Sequence, residues 1–180
     1  MKELSLNILD IVENSVKAGA KLTVISVTEQ SDTLTIEITD NGSGMTDEVL
    51  ESVTNPFYTT RTTRKVGMGI PLLKLEAELT GGNLKIVSRH ISEHPEDHGT
   101  TVTAVFNKNH IDFTPLGDVT STLTTLIQGH PDLDFMFIHK TGEREVKFDT
   151  RDLRKELEGI PLNNYEVLKW IEEYIKEQYI

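Results

Sequence analysis

The chain has 180 residues, with 18 Lys and Arg against 29 Asp and Glu, a formal net charge of −11 at pH 7, and no cysteine. This length suits one medium domain, or one domain with a small addition. The acidic balance argues against a nucleic-acid partner, because phosphate backbones are bound by basic surfaces. The lack of cysteine excludes disulfides, thiolate metal sites and cysteine nucleophiles.

The amino terminus indicates neither export nor a membrane anchor. Its first residues, MKELSLNILDIVENS, carry acidic side chains from the third position and lack an unbroken apolar stretch, unlike a signal peptide. No segment approaches the roughly 20 apolar residues of a membrane helix. We therefore expect a cytoplasmic protein without a membrane partner.

The first 110 residues alternate between helical and strand patterns. A helix is predicted over 4–18, followed by two strands, LTVISVTE and TLTIEITD, whose polar connection indicates a hairpin. A short helix, TDEVLES, follows with Thr46 as its N-cap. Residues 54–69 lack periodicity and predict a loop, after which IPLLKLEAEL predicts a helix, and NLKIVSR and TTVTAVF predict two strands.

Residues 111–180 have a different sequence pattern from the first 110. They begin with the segment DFTPLGD, which is typical of a linker. The pattern beyond it predicts a helix, a hairpin and two more helices, over 119–128, 133–139 with 144–149, 150–158, and 163–179. In the last helix Trp170 and Tyr174 recur with two isoleucines at helical spacing, which is typical of a packing face. We expect a small α/β appendage that docks a partner or forms a dimer.

The first helix carries an adjacent acid and amide, Glu13 and Asn14, within ILDIVENSVKAGA. On a helical wheel Asp10 and Asn14 belong to a polar stripe. Glu13 instead projects between the apolar side chains of Leu6, Leu9 and Val16. A carboxylate on an apolar flank is desolvated unless it is paired, which raises its pKa toward the range of a general base. A solvated glutamate at the helix edge is the alternative interpretation.

A second motif, DNGSGM, follows directly on a predicted strand and contains Asp40, Gly42 and Gly44. Its glycines let the backbone bend and approach a ligand closely. Asp-Asn-Gly is also a common turn, so this motif alone leaves both interpretations open. A later strand opens with Gly99 and Thr100.

A third motif, Gly67-Met68-Gly69, stands just before a predicted helix. Free N–H groups and the helix dipole favour anions at such a position. The motif lacks the third glycine of a Rossmann fingerprint, and the chain has no Walker A sequence. Upstream, NPFYTTRTTRK brings Arg61 and two further basic residues near the motif. Two interpretations are open: these side chains contact phosphate, or they belong to a solvated loop.

Three histidines, His90, His94 and His98, recur every four residues. On a helix this spacing would indicate a metal site. Pro95 and the acidic segment HPEDHG argue against a helix, so we interpret these residues as a solvated hairpin loop.

The order and spacing of these motifs resemble the ATP-binding domain of the GHKL superfamily, which includes gyrase, Hsp90-type chaperones, histidine kinases and MutL. The resemblance covers about residues 1–108 and implies an α+β fold, the GHKL or Bergerat α/β sandwich, with a mixed, mainly antiparallel sheet and helices on one face. ENSVKAGA is close to the MutL form, although Lys17 stands where those proteins carry an aspartate. We expect a GHKL ATP-binding domain over 1–110 and a C-terminal α-β-β-α-α region over 111–180.

The resemblance also implies a role for each motif in binding ATP and Mg²⁺. The residue matching Glu13 activates the attacking nucleophile, and the residue matching Asn14 completes the Mg²⁺ shell. The aspartate matching Asp40 accepts a hydrogen bond from the adenine amino group. The other nucleotide-binding positions implied by the family are Gly42, Gly44, Arg61, Gly67, Met68, Gly69 and Thr100.

By the same resemblance we expect transfer of the ATP γ-phosphoryl group to water or to a hydroxyl of a partner protein. The sequence begins at the Glu-Asn helix without phosphoacceptor helices before it. We therefore expect a stand-alone, regulatory ATPase or kinase rather than a sensor histidine kinase. The alternative is a non-catalytic module, in which ATP changes the state of the loop over 54–69 and a partner reads it. Both hypotheses leave room for a homodimer.

Overall fold

The computed structural model describes residues 3–54 and 68–180. Their helices and strands lie within two residues of the predicted bounds. In chain order they are α1 (Leu4–Lys17), β1 (Leu22–Glu29), β2 (Thr33–Asp40), α2 (Asp47–Ser52), α3 (Gly69–Leu79), β3 (Asn83–Arg89), β4 (Gly99–Asn107), α4 (Val119–Gly129), β5 (Asp134–Thr141), β6 (Arg144–Asp149), α5 (Thr150–Leu157) and α6 (Tyr165–Gln178).

The strands form one six-stranded sheet in the order β3-β4-β2-β1-β5-β6. Only β1 and β5 run parallel among the strand pairs of this sheet, so the predicted mixed, mainly antiparallel sheet is confirmed. The alternation in β2 buries Leu34, Ile36 and Ile38 in a core that α1, α3, α4 and α6 complete. In the described parts of the chain, no helix is both long and apolar enough to cross a membrane.

The C-terminal region extends the sheet of the first 110 residues, because β5 pairs with β1 along its whole length, from Leu22 opposite Asp134 to Glu29 opposite Thr141. The two parts of the chain therefore share one core. The division at residue 110 remains a prediction about function.

The segment predicted as a linker is packed against the start of α1. The first N–H groups of a helix lack partners inside it. Here the N–H groups of Leu4 and Ser5 donate to the carbonyl oxygens of Pro115 and Leu116, at 2.9 and 2.8 Å. The linker therefore completes α1 as well as connecting β4 to α4.

A buried histidine joins the two parts of the chain at the far end of β1. His139 on β5 is 6% exposed, and its Nε2–H donates to Glu29 Oε1 at 2.9 Å, while its Nδ1 lies 2.8 Å from the Tyr179 hydroxyl. Lys108 Nζ lies 3.0 Å from the second carboxylate oxygen of Glu29. Burial opposes the ionised form of Glu29, but the hydrogen bonds from Lys108 and His139 lower its pKa. Burial raises the pKa of Tyr179 to about 12.

This cluster predicts a pH-dependent loss of stability in Glu29→Gln. The variant should unfold with a free energy about 1–3 kcal/mol lower at neutral pH, because buried His139 loses its charged acceptor. The folded-state pKa of Glu29 is lowered, so its contribution is complete above the ordinary carboxyl pKa and disappears as the pH falls through the folded value.

Urea unfolding from neutral pH into the acid range measures this difference. Glu96→Gln, at an exposed loop position, makes the same charge change and should leave stability nearly unaltered. A difference between wild type and Glu29→Gln that stays constant into the acid range would contradict the interpretation.

Candidate nucleotide-binding site

A cavity of about 150 Å³ lies among α1, β2, β4 and the start of α3. It is smaller than the roughly 300–1,000 Å³ of pockets for drug-sized ligands, so its size suits one end of a nucleotide. Its lining combines apolar side chains with a few polar groups, including four of the predicted binding residues. The lining residues are Ile11, Asn14, Ser15, Ala18, Ile38, Asp40, Gly44, Met45, Val53, Ile70, Thr100 and Val102.

Asp40, the last residue of β2, has its carboxylate held in one orientation. The Ser15 hydroxyl donates to Oδ2 at 2.7 Å, and the Gly42 N–H donates to Oδ1 at 2.9 Å. Each carboxylate oxygen can accept a further hydrogen bond, so the group remains available to a ligand in the cavity. Ser15 is 3% exposed and was missed in the sequence, although it directly follows Asn14 on the helix already assigned to the site.

The loop after Asp40 is clamped between α1 and β3. Asn41 Oδ1 accepts the N–H groups of Lys21 and Leu22, at 2.8 and 3.0 Å. The Ser43 N–H donates to Ala18 O, and the Ser43 carbonyl accepts from Ile91 N–H, both at 2.8 Å. These bonds occupy the Asn41 side chain and the Ser43 backbone, and the Asp40 carboxylate is the charged group of the motif in the cavity.

Gly44 is required by the close approach of this loop to β3. Its φ of +73° lies in the left-handed region, and a Cβ added there would lie 2.0 Å from Arg89 O. Its neighbour Gly42 contributes its N–H to Asp40, while its carbonyl accepts from His98 Nδ1. His98 therefore anchors this loop, unlike the freely solvated histidine expected, whereas His94 is exposed as predicted.

Thr100 is the residue of β4 opposite Asp40 in the strand register. Its hydroxyl lies 2.7 Å from Ser88 Oγ, which also accepts the Met45 N–H at 2.8 Å. Ser88 thus connects Thr100 to the DNGSGM loop. No sequence signal marked Ser88, because its role depends on the pairing of β3 with β4.

The predicted phosphate end begins where α3 approaches α1. Gly69 is the first residue of α3, and a Cβ added to it would lie 3.2 Å from Asp10 Cβ. Met68 occupies the N-cap position without a side-chain capping bond, so its side chain leaves the first N–H groups of the helix uncapped. Gly67 and Arg61 lie outside the described residues.

Asp10 is a further acidic residue at this end that sequence reasoning placed only in the polar stripe of α1. It precedes Asn14 by four residues, and side chains at this spacing are neighbours on a helix. The Asp10 side chain is exposed. Desolvation by its neighbours nevertheless raises the pKa of its carboxyl, Lys17 opposes the rise and Glu13 adds to it. Asn14 lines the cavity, and its side chain makes no hydrogen bond to any described residue.

Glu13 is paired with a residue of the C-terminal region. Its Oε1 accepts from His130 Nε2–H at 2.9 Å, and the two side chains are 38% and 24% exposed. The carboxylate is therefore not an isolated group on an apolar flank, and it does not line the cavity. His130 follows α4 and was not assigned from the sequence, because its contact with Glu13 spans 117 positions.

Gly44→Ala should destabilise the protein more than an alanine at another glycine with the same backbone conformation. Gly81 has a φ of +82° but open space around an added Cβ. Gly81→Ala should therefore lower the free energy of unfolding by only about 1–2 kcal/mol. Gly44→Ala adds the clash with Arg89 O and should lower the free energy of unfolding by about 3 kcal/mol or more. Urea unfolding measures both, and equal losses would show that Arg89 moves away freely.

Comparison with known proteins agrees with this geometry. Residues 2–110 match the family model described as histidine kinase-, DNA gyrase B-, and HSP90-like ATPase. Sporulation kinase B of Bacillus subtilis (strain 168) is 30% identical over 104 residues, which cover 56% of this chain and 23% of that protein. This chain thus spans about a quarter of the length of that relative.

Two solved structures share the fold. The Aquifex aeolicus MutL ATPase domain complexed with ADP superposes with a TM-score of 0.57 at 15% identity, over 98% of this chain and 70% of that one. The N-terminal domain of a DNA repair protein superposes with a TM-score of 0.56 at 18% identity, over 83% of this chain and 52% of that one. With its sheet and motifs, the chain belongs to the histidine kinase-, DNA gyrase B- and HSP90-like ATPase family, the GHKL superfamily.

Proposed function

We propose that the protein binds Mg-ATP at this site and transfers the γ-phosphoryl group to water or to a hydroxyl of a partner protein. The proposal depends chiefly on Asp40, a carboxylate held by Ser15 and Gly42 in an otherwise largely apolar cavity. A carboxylate accepts a hydrogen bond from the exocyclic amino group of adenine, whereas guanine offers a carbonyl oxygen at that position. Family membership supports the same nucleotide.

The residues at the other end of the site fit a magnesium ion and phosphates. The Asn14 amide oxygen would hold Mg²⁺, which prefers oxygen ligands and keeps several waters. The bound ion would neutralise negative charge on the phosphates. The uncapped start of α3 at Met68 and Gly69 supports phosphate binding by backbone N–H groups. Gly67 and Arg61 complete the proposed set.

We assign the general base to Asp10. Its pKa is raised, it lies beside the start of α3, and it precedes Asn14 by one helical turn. Glu13, the residue predicted for this role from the sequence, has its carboxylate paired with His130. In the reaction, the attacking oxygen forms a bond to the γ-phosphorus, the bond to the β-phosphate oxygen breaks, and ADP leaves with that electron pair. The proton of the attacking hydroxyl or water passes to the Asp10 carboxylate.

Asp40→Asn should weaken ATP binding by about 100-fold or more. Both carboxylate oxygens already accept, from Ser15 and Gly42, and the amide NH₂ that replaces one of them cannot accept from these donors or from the adenine amino group. Isothermal titration calorimetry with Mg-ATP measures this loss. Ser15→Ala keeps the charge but frees the carboxylate, and should weaken binding to a smaller degree. Asp112→Asn, at an exposed position outside the cavity lining, is the matched control. A folded Asp40→Asn protein with unchanged affinity would refute the adenine contact.

Asp10→Asn should keep ATP binding but reduce turnover by about 10²–10⁴-fold, the usual contribution of a general base. Glu13→Gln makes the same chemical change three residues away and should have a small effect on the rate. The reverse pattern would return the role of base to Glu13.

The phosphoryl acceptor can be identified with γ-labelled ATP, using the full chain alone and with cell lysate. Released phosphate indicates an ATPase, and a labelled protein indicates a kinase. If wild type and both acidic variants bind ATP but transfer no label under either condition, the protein is an ATP-sensing module and the transfer reaction is wrong.

A further inference from the structure

A groove of about 470 Å³ lies between α5, α6 and the edge strand β6, outside the segment that the family model matches. Phe148 and Leu153 are apolar residues of its lining, and Trp170 and Tyr174 contribute an aromatic wall from α6. The nucleotide-site cavity described above involves none of these residues.

The aromatic wall is exposed, although its spacing in the sequence was typical of a packing face. Ile171 and Ile175 of α6 are fully buried and pack the helix onto the core. Trp170 and Tyr174 are 46% and 40% exposed, and their rings stack at 4.9 Å with an angle of 14° between planes. Helix packing therefore does not require Trp170, and one large aromatic surface remains open to a ligand.

Carboxylates dominate the polar part of the groove, because Asp149, Asp152 and Glu156 line it with one basic residue, Lys147. Hydrogen bonds from Arg151 lower the pKa of Asp149 and keep it charged at neutral pH. Asp152 pairs with Lys155 only in an exposed contact at 3.1 Å, and Glu156 has no ion pair with any described residue. An exposed ion pair of this kind adds little to stability. The Asp152 carboxylate can therefore pair with a different cation.

The edge strand β6 cannot pair with an added strand at its middle, because the backbone groups there already have hydrogen-bond partners. The Lys147 N–H donates to Gln178 Oε1 at 2.9 Å, and the Lys147 carbonyl accepts from Gln178 Nε2 at 3.1 Å. A partner at this position would therefore bind through side chains rather than by pairing with the backbone of β6.

We propose that this groove docks a positively charged segment of a partner protein, whose arginine stacks on Trp170 and pairs with Glu156 and Asp152. A planar guanidinium suits both surfaces, because it stacks on aromatic rings and forms two parallel hydrogen bonds with a carboxylate. A lysine ammonium offers one compact charge and fits the flat aromatic wall less well. The acidic lining complements this partner and disfavours an anionic ligand.

A hexapeptide with two arginines and otherwise glycine and leucine tests the proposal, with lysine and citrulline versions as comparisons. Trp170 is the only tryptophan of the chain, so its fluorescence reports this groove in the unmodified protein. The arginine peptide should give a saturable change, with about threefold to tenfold weaker binding for lysine. Citrulline, which has the shape of arginine without its charge, should bind at least about tenfold more weakly.

Variants separate the groove from general attraction to an acidic protein. The double substitution Asp152→Asn with Glu156→Gln should weaken the arginine peptide about tenfold or more. Glu93→Gln with Glu96→Gln makes the same charge change in an exposed loop and should have little effect. Trp170→Ala, measured by calorimetry, should also weaken binding while leaving ATP affinity unchanged.

Three results of the peptide measurements would overturn the proposal. These are equal binding of the citrulline peptide, equal effects of the two double variants, and the lack of a saturable signal with the arginine peptide. Sedimentation of the protein without peptide tests whether a second copy of the chain occupies the groove. A dimer that shields Trp170 would assign the groove to a second copy of the chain and would likewise overturn the proposal.

Discussion

The parallel pairing of β1 with β5 is the constraint on which the rest of the structure depends. It places the C-terminal strands in the same sheet as the nucleotide-binding motifs, so α4 packs against α1 and α6 packs against α4 in one core. At one end of β1 the pairing brings His139 to Glu29, and α4 brings His130 to Glu13. The C-terminal region thus contacts the helix that carries Asp10 and Asn14, although it lies outside the segment that the family model matches.

The two ends of the proposed nucleotide site are built differently. Asp40, Gly44 and Thr100 are held by hydrogen bonds and close backbone contacts that involve α1, β3 and β4. This network fixes a carboxylate before any ligand arrives, which reduces the ordering cost of binding. The opposite end depends on the start of α3 and on the polar stripe of α1, where Asp10 and Asn14 lie one turn apart.

Local patterns in the sequence predicted the elements well, because they depend on neighbours along the chain. The alternation of TLTIEITD identifies β2, and Thr46 caps α2 as expected, accepting the Val49 N–H. Contacts between distant residues were beyond such reasoning. Ser88 and His130 join the network only through strand pairing and helix packing. The predicted packing face of α6 combined two isoleucines with Trp170 and Tyr174. Ile171 and Ile175 are buried as predicted, but only the position of α6 in the fold shows that the two aromatic side chains remain partly exposed.

The β1–β5 pairing also has a consequence for how the chain folds. Leu22 and Asp134 are 112 positions apart, so their contact closes a long loop whose entropy is lost before the pairing is complete. Without β5, β1 would be the edge strand of a four-stranded sheet, with unpaired backbone groups along Leu22–Glu29. Such an edge can pair with another chain. The pairing with β5 therefore covers an edge open to association with another chain, and it also completes the core.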